Sequence, residues 1–243
     1  MKNTILITGA NRGLGLSLAE VFADHGFSVF AGVYPRVERA QIDRLRGREN
    51  VYIMDMDVTD IQSVRDAARF VEEYSTSLDV LVSNAAIMAP DENQSVTHTI
   101  LEPQHFDWIR EVIDVNAVGA VRVANVFAPF LLRGDTKLLV NISSESGSIA
   151  GCDRTGWFGY CMSKAALNMA GALMQNEWAK HGGQVFLIHP GYMQTYTHGE
   201  RNMAATYHPD FSAEHIFRLI QDAERYRSPK AVFMDLFGKP LEW

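Results

Sequence analysis

Tyr160 and Lys164 stand four residues apart in the run Tyr160-Cys161-Met162-Ser163-Lys164, a spacing that puts a phenol and an ammonium on one face of a helix. A phenol ionises near pH ~10, too high for efficient proton exchange at neutrality, and an adjacent ammonium favours its anion. The pair therefore reads as a general acid/base, with Lys164 tuning Tyr160 toward working pH. Just upstream, Val140-Asn141-Ile142-Ser143-Ser144 delivers two hydroxyls, either of which could hydrogen-bond an oxygen as charge develops on it. Near the start, Thr8-Gly9-Ala10-Asn11-Arg12-Gly13-Leu14-Gly15 places three glycines where a strand turns into a helix, freeing backbone N–H groups for a pyrophosphate. Its spacing is G-x-x-x-G-x-G, not the general dinucleotide fingerprint G-x-G-x-x-G. Each piece has an ordinary alternative: a tight turn, serines capping a bend, a packed tyrosine beside a solvated lysine. Their joint occurrence, in this order, favours chemistry.

The elements that must position these groups alternate regularly. β-Branched runs at Thr4–Thr8, Phe27–Val33, Val51–Met56, Leu78–Ser83, Lys137–Ser143, Gln184–His189 and Ala231–Leu236 read as seven strands. Helical patterns fall near Leu14–His25, Val37–Arg46, Ile61–Tyr74, Pro103–Leu132, Trp157–His181 and Ala213–Arg225. This is the pattern of an α/β fold, a doubly wound parallel sheet of about seven strands with helices on both faces, in one domain over residues 1–243. Continuous apolar strands such as Val80-Leu81-Val82 fit a sheet buried on both sides. Two long irregular stretches, Ala85–Glu102 and Gly191–Ser212, follow strands at the carboxyl edge, where open α/β sheets bind ligands.

A formal net charge of -7 with no long basic block argues against nucleic acid as a partner. Cys152 and Cys161 are the two cysteines; without paired spacing or a histidine cluster they suggest neither a disulfide framework nor a metal site, and a reducing cytoplasm is expected. The apolar stretch before Gly9 is too short for a signal peptide, and no run of membrane-spanning length is expected, so no membrane partner is either.

Taken in order, the motifs resemble the short-chain dehydrogenase/reductase family across essentially the whole chain. Matching pieces are Thr8 to Gly15, Asp57-Val58, Ser83-Asn84-Ala85-Ala86, Asn116, Ser144, Tyr160, Lys164 and Pro190-Gly191. More narrowly, Phe233 to Trp243 and Ser163 to Met169 look like the sniffer and C-factor branch of carbonyl reductases. The resemblance implies a Rossmann-type sheet and a nicotinamide-dependent oxidoreductase that interconverts a carbonyl and an alcohol by hydride transfer. It implies a catalytic set in which Ser144 positions the carbonyl and Tyr160 exchanges the proton. Lys164 depresses the phenol's pKa and holds the nicotinamide ribose, and Asn116 stabilises a water that relays protons. By the same likeness Ser143 faces the fold. Cofactor contacts are implied for Gly9, Asn11, Arg12, Gly13, Leu14 and Gly15 in the first turn, and for Asp57 and Val58 after the third strand. They are implied also for Asn84, Ala85 and Ala86 after the fourth strand, and for Pro190, Gly191, Met193 and Thr195 after the sixth.

The chain departs from the family's N-N-A-G, with Ser83 for the first Asn and Ala86 for the Gly, which adds a methyl beside the expected cofactor path. That departure, with the C-factor likeness, motivates the alternative of a nicotinamide-binding regulatory protein with little turnover. Charge bears on which cofactor: a 2′-phosphate needs a cation, a free ribose a carboxylate. The second strand ends in Val33-Tyr34-Pro35-Arg36 with no acid, and Arg12 and Arg36 can approach a phosphate, so NADP(H) is favoured with NAD(H) possible, Tyr34 lying at the same edge. A substrate loop of about 191–212 is expected, rich in Tyr and Met, with Ile87, Met88, Trp157 and Phe158 as neighbours, suiting a partly apolar small-molecule carbonyl or alcohol. His198 is assigned no chemistry. Valines on more than one side of the long helix, with the family habit of pairing there, suggest a homodimer or homotetramer.

Overall fold

The computed structural model describes residues 3–36, 40–89, 98–197 and 200–243. Seven strands form one parallel sheet: β1 (Thr4–Thr8), β2 (Ser28–Val33), β3 (Val51–Asp55), β4 (Val80–Ser83), β5 (Leu138–Ile142), β6 (Gln184–His189) and, after a short hairpin, β9 (Val232–Asp235), in the order β3-β2-β1-β4-β5-β6-β9. The order reverses between β1 and β4, and a crevice opens there at the carboxyl edge.

Both faces are buried, as the continuous apolar strands require. Ile5, Ile7, Val29, Val80, Val82, Val140 and Ile188 pack beneath α1 (Gly13–Asp24) and α6 (Pro209–Gln221), against Leu16, Phe22, Ile216 and Ile220. Leu6, Phe30, Leu81, Leu139 and Leu187 face α2 (Ile61–Glu72), α4 (Gly119–Arg133) and α5 (Phe158–Trp178), against Val64, Val123, Phe127 and Leu167. Burying a ring such as Phe127 contributes about 2–3 kcal/mol, so the alternation of side chains across each strand fixes which residues point into the two layers.

Several expected elements take a different form. The single helix expected over Pro103–Leu132 begins at Phe106, as α3 (Phe106–Ile113), and passes through a π-helical turn at Asp114–Val118 before continuing as α4. His105 offers no side-chain cap, and the chain before it is held by Gln104 donating to the Thr99 and Glu102 carbonyls. Phe106–Arg133 is also long and apolar enough by length and composition to cross a membrane, contrary to the expectation that no run reached that length; half of it is buried in the fold, against α2 and the sheet. The helix expected over Val37–Arg46 is a 3-10 turn at Ala40–Leu45, and residues 37–39 lie outside the described residues. The stretch from Gly191, expected to be irregular, contains the hairpin β7 (Tyr196–Thr197) and β8 (Glu200–Arg201), and α6 starts at Pro209, not near Ala213, because His208 caps Asp210 N–H and Pro209 pre-sets the first turn. His198 lies outside the described residues.

Candidate active site

The glycine turn is held by steric necessity. Gly9 has φ +69°, and a Cβ there would stand 2.8 Å from Ala85 Cα; a Cβ on Gly15 would stand 2.3 Å from the Gly9 carbonyl oxygen and 2.5 Å from the Asn84 amide. The ends of β1 and β4 are thus in main-chain contact. Gly13, at φ +56°, has open space except for the Thr195 methyl at 3.5 Å, which brings the segment after β6 over the turn. No side chain caps the start of α1. A left-handed, uncovered backbone at a helix N-terminus fits a pyrophosphate, so the residues present suit a dinucleotide.

Two expected contact residues serve the turn from behind. Asn84 donates from Nδ2 to the Thr8 carbonyl at 2.8 Å and the Gly9 carbonyl at 3.3 Å, while the Asn84 and Ala85 amides both donate to Thr8 Oγ1 at 3.0 Å. Asn11 clamps the end of β2, its Nδ2 donating to the Tyr34 carbonyl at 3.0 Å and its Oδ1 accepting from the Tyr34 amide at 2.7 Å. The side chains of Asn84 and Asn11 are therefore spent on backbone, where they shape the floor on which a dinucleotide would lie. Leu14 is buried in the core beneath the turn, and Arg12 and Arg36 stand exposed at the ends of β1 and β2.

At the end of β3, Asp57 Oδ1 accepts from the Thr59 amide and hydroxyl at 2.9 and 2.6 Å. Val58 is buried, and a Cβ on Gly119 would meet its methyl at 2.9 Å. After β6, Pro190 is buried with its carbonyl accepting from Ser212 Oγ at 2.9 Å; Gly191, at φ +81°, leaves room only for the Tyr207 ring, and Met193 bridges to Tyr207. Ala86 is exposed, in ordinary backbone conformation, so its extra methyl introduces no strain.

Tyr160 and Lys164 lie in the first turns of α5, and Ser144 follows β5. Ser144 faces the Tyr160 hydroxyl closely enough to favour the phenolate, and its Oγ accepts from the Ser146 amide at 3.1 Å. Lys164 Nζ lies 5.6 Å from the Tyr160 ring centroid and donates to the Ile142 carbonyl at 2.9 Å. Ser143 turns inward, donating to Asn168 Oδ1 at 2.6 Å, as expected. The three chemical groups converge, but the electrostatics differ from expectation. Burial pushes the Tyr160 phenol up to about 12, outweighing the favourable effect of Ser144, and burial alone brings Lys164 down to about 8. Lys164 thus does not depress the phenol's pKa in the bare protein: desolvation dominates both groups.

Asn116 is braced in the same region. It sits in the π-helical turn with its side chain fully engaged: Oδ1 accepts from the Ile87 amide at 2.8 Å, and Nδ2 donates to the Ile87 carbonyl at 2.8 Å and to Ser163 Oγ at 3.0 Å. Ser163 in turn donates to the Tyr160 carbonyl at 2.7 Å. The Asn116 side chain is therefore a clamp between the loop after β4 and the helix of Tyr160.

Sequence reasoning missed three features. Arg154 grips Glu145 bidentately at 3.0 and 2.8 Å, tying the segment before α5 to the turn of Ser144; an exposed arginine nine residues from an acid gives no periodic signal. A cleft beside Tyr160 is walled by Met88, His98, His105, Trp108, Ile109, Trp157 and Phe158. Met88, Trp157 and Phe158 were expected there, but the opposite wall comes from the approach to α3, not from 192–207. Finally, of the two thiols, Cys152 is exposed and Cys161 partly buried. Among the described residues no cluster of potential ligands could hold a metal ion.

Comparison with known proteins agrees with this geometry. Residues 3–205 match the family model of short chain dehydrogenases. A short-chain dehydrogenase/reductase of Arthrinium sp. is 34% identical over 209 residues, covering 82% of this chain and 77% of that one. The NADPH-bound carbonyl reductase from chicken fatty liver superposes with a TM-score of 0.84 at 27% identity, covering 100% of both chains. The carbonyl reductase Sniffer of D. melanogaster superposes at 0.86 with 24% identity, again over 100% of both chains, and shares the fold.

Proposed function

Because the chain belongs to the short-chain dehydrogenase family, and is with it an NAD(P)-dependent oxidoreductase acting on small molecules, we propose that its activity is NADPH-dependent reduction of a carbonyl to an alcohol. The observation that carries this reading is the convergence of Tyr160, Ser144 and Lys164, with Lys164 Nζ 5.6 Å from the Tyr160 ring centroid and fixed on the Ile142 carbonyl. A protonated phenol is the form needed to donate to a carbonyl oxygen as it becomes an alkoxide.

When bound, the nicotinamide supplies the hydride. The chain's own residues do the rest. Ser144 holds the carbonyl oxygen by hydrogen bonding. Tyr160 donates the proton from its hydroxyl, and Lys164, fixed on the Ile142 carbonyl, keeps a positive charge beside the phenolate so formed. Asn116 and Ser163 hold the helix of Tyr160 in register with the loop after β4. The glycine turn and Thr195 would hold the pyrophosphate. Two exposed arginines, Arg12 and Arg36, stand at the edge where a 2′-phosphate would lie, with no acid at the end of β2; this, with the NADPH bound to the chicken carbonyl reductase, supports NADPH over NADH. Exposed apolar side chains along α4 and α5, Val118, Val121, Met169 and Leu173, support pairing of two copies.

Loss of nicotinamide absorbance with aldehydes, ketones and quinones tests the proposal. Turnover is expected with NADPH, and Tyr160→Phe should lower kcat about a thousandfold while leaving cofactor affinity intact. Tight cofactor binding without turnover of any carbonyl, or an unimpaired Tyr160→Phe variant, would refute it.

A further inference from the structure

Among the described residues, two that are not glycine have positive φ, Lys137 at 50° and Trp157 at 65°. For a bulky side chain this backbone region is disfavoured. At Lys137 the backbone conformation has an evident use: the carbonyl accepts from Trp178 Nε1 at 3.0 Å and from the Gln184 amide at 3.2 Å, closing the turn into β6. At Trp157 it does not. The residue is the N-cap of α5, its side chain caps nothing, and its carbonyl makes only the first helical bond, from the Cys161 amide at 2.9 Å. A glycine would do the same without strain, and Ser, Asn or Asp would cap better.

What the conformation does secure is the position of the indole. It stands edge-on to the Tyr160 ring, with centroids 6.2 Å apart and planes at 72°, and walls the cleft beside that phenol. Trp108 walls the same cleft, stacked on His105 at 4.2 Å and 21°. The walls are close: a Cβ on Gly159 would stand 3.4 Å from Ile109 Cα, so α3 and α5 are in direct contact at their starts. A cleft lined by two indoles and two imidazoles favours planar rings over flexible chains of equal size, because contacts between rings add to simple burial.

We propose that Trp157 is a specificity-determining residue, held in a left-handed conformation so that its indole selects carbonyl substrates carrying an aromatic or conjugated ring next to the carbonyl. The inference rests on the reductase reading above and names the substrate class of the same site.

The test compares kcat/KM for an aryl ketone and for a straight-chain ketone of equal carbon number, with NADPH, in the intact protein and in Trp157→Gly, Trp157→Asn and Trp157→Phe. The intact protein should prefer the aryl ketone. Glycine and asparagine both tolerate positive φ, so these variants should fold and melt no lower, and should lose about tenfold of the aryl preference, chiefly through KM; phenylalanine should restore most of it. An unchanged ratio in Trp157→Gly and Trp157→Asn, or no aryl preference at the outset, overturns the proposal. If the intact protein reduces neither ketone, the reductase reading fails on its own, and quenching of tryptophan fluorescence by the aryl ketone still decides this one. Quenching weakened in Trp157→Gly beyond the loss of one fluorophore supports it, and equal affinity, or no binding to the intact protein, overturns it.

Discussion

The two halves of the active edge are built by different means. The nucleotide side is a backbone construction: Gly9 against Ala85 Cα, Gly15 against the Gly9 carbonyl, and the Asn84 and Asn11 amides spent on main-chain groups. The substrate side is a side-chain construction, with His105 and Trp108 at the start of α3, Trp157 at the start of α5 and Met88 after β4 set around Tyr160. Main-chain contacts leave no room for variation, whereas a wall of rings changes its shape with each substitution. Binding of a common cofactor needs the first; selection of one substrate among many uses the second.

The sharpest way to break this contrast is Gly15→Ala. Its Cβ would meet backbone and a braced amide at 2.3 and 2.5 Å, so we expect a stability loss of about 3 kcal/mol in denaturant unfolding and no measurable cofactor binding by titration. A merely tenfold weaker binder with unchanged stability would show that the turn yields.

The buried pair at the meeting of the two halves gives an intermediate effect, read in pH. Lys164 is lowered to about 8 in the fold from 10.5, so between those values the unfolded chain binds more protons and the stability of the bare protein should rise with pH. Tyr160 is raised from 10.0 to about 12, so over that window the folded state binds more protons and stability should fall as pH rises. Urea midpoints taken from pH 7 to 11 should therefore pass through a maximum near pH 10. Lys164→Met should remove the ascending limb, and an unaltered limb would place the titrating group elsewhere.

The smallest effect belongs to the substrate wall. His105→Ala removes a ring stacked on Trp108 from a partly exposed loop, and should cost no more than about 1 kcal/mol in unfolding with cofactor affinity unchanged. A large stability loss there would erase the distinction between the halves.

How much was legible in the sequence follows the same division. Strand periodicity placed all seven strands of the sheet to within two residues, because both faces demand apolar side chains and the glycine turn punctuates the first of them. Tyr160, Lys164 and Ser144 were found through fixed spacing on one helix and one strand end. The pKa of Tyr160 was misjudged because four-residue spacing reports proximity to a charge but not desolvation, which depends on what packs over both groups. Asn116 was placed at the site, yet its engagement by Ile87 and Ser163 depends on a π-helical turn that leaves no mark in hydrophobic periodicity. The cleft walls at His98 to Trp108 were not singled out, although the helix expected from Pro103 covered His105 and Trp108, because helical periodicity does not tell which side chains face a cleft.

The placement of the two thiols has a practical consequence. Cys152 is exposed and Cys161 adjoins the acid/base tyrosine with its thiol partly buried, so a maleimide dye will couple to the outer sulfur first. The molecule thereby carries a native attachment point for a fluorescent label without introducing a foreign residue.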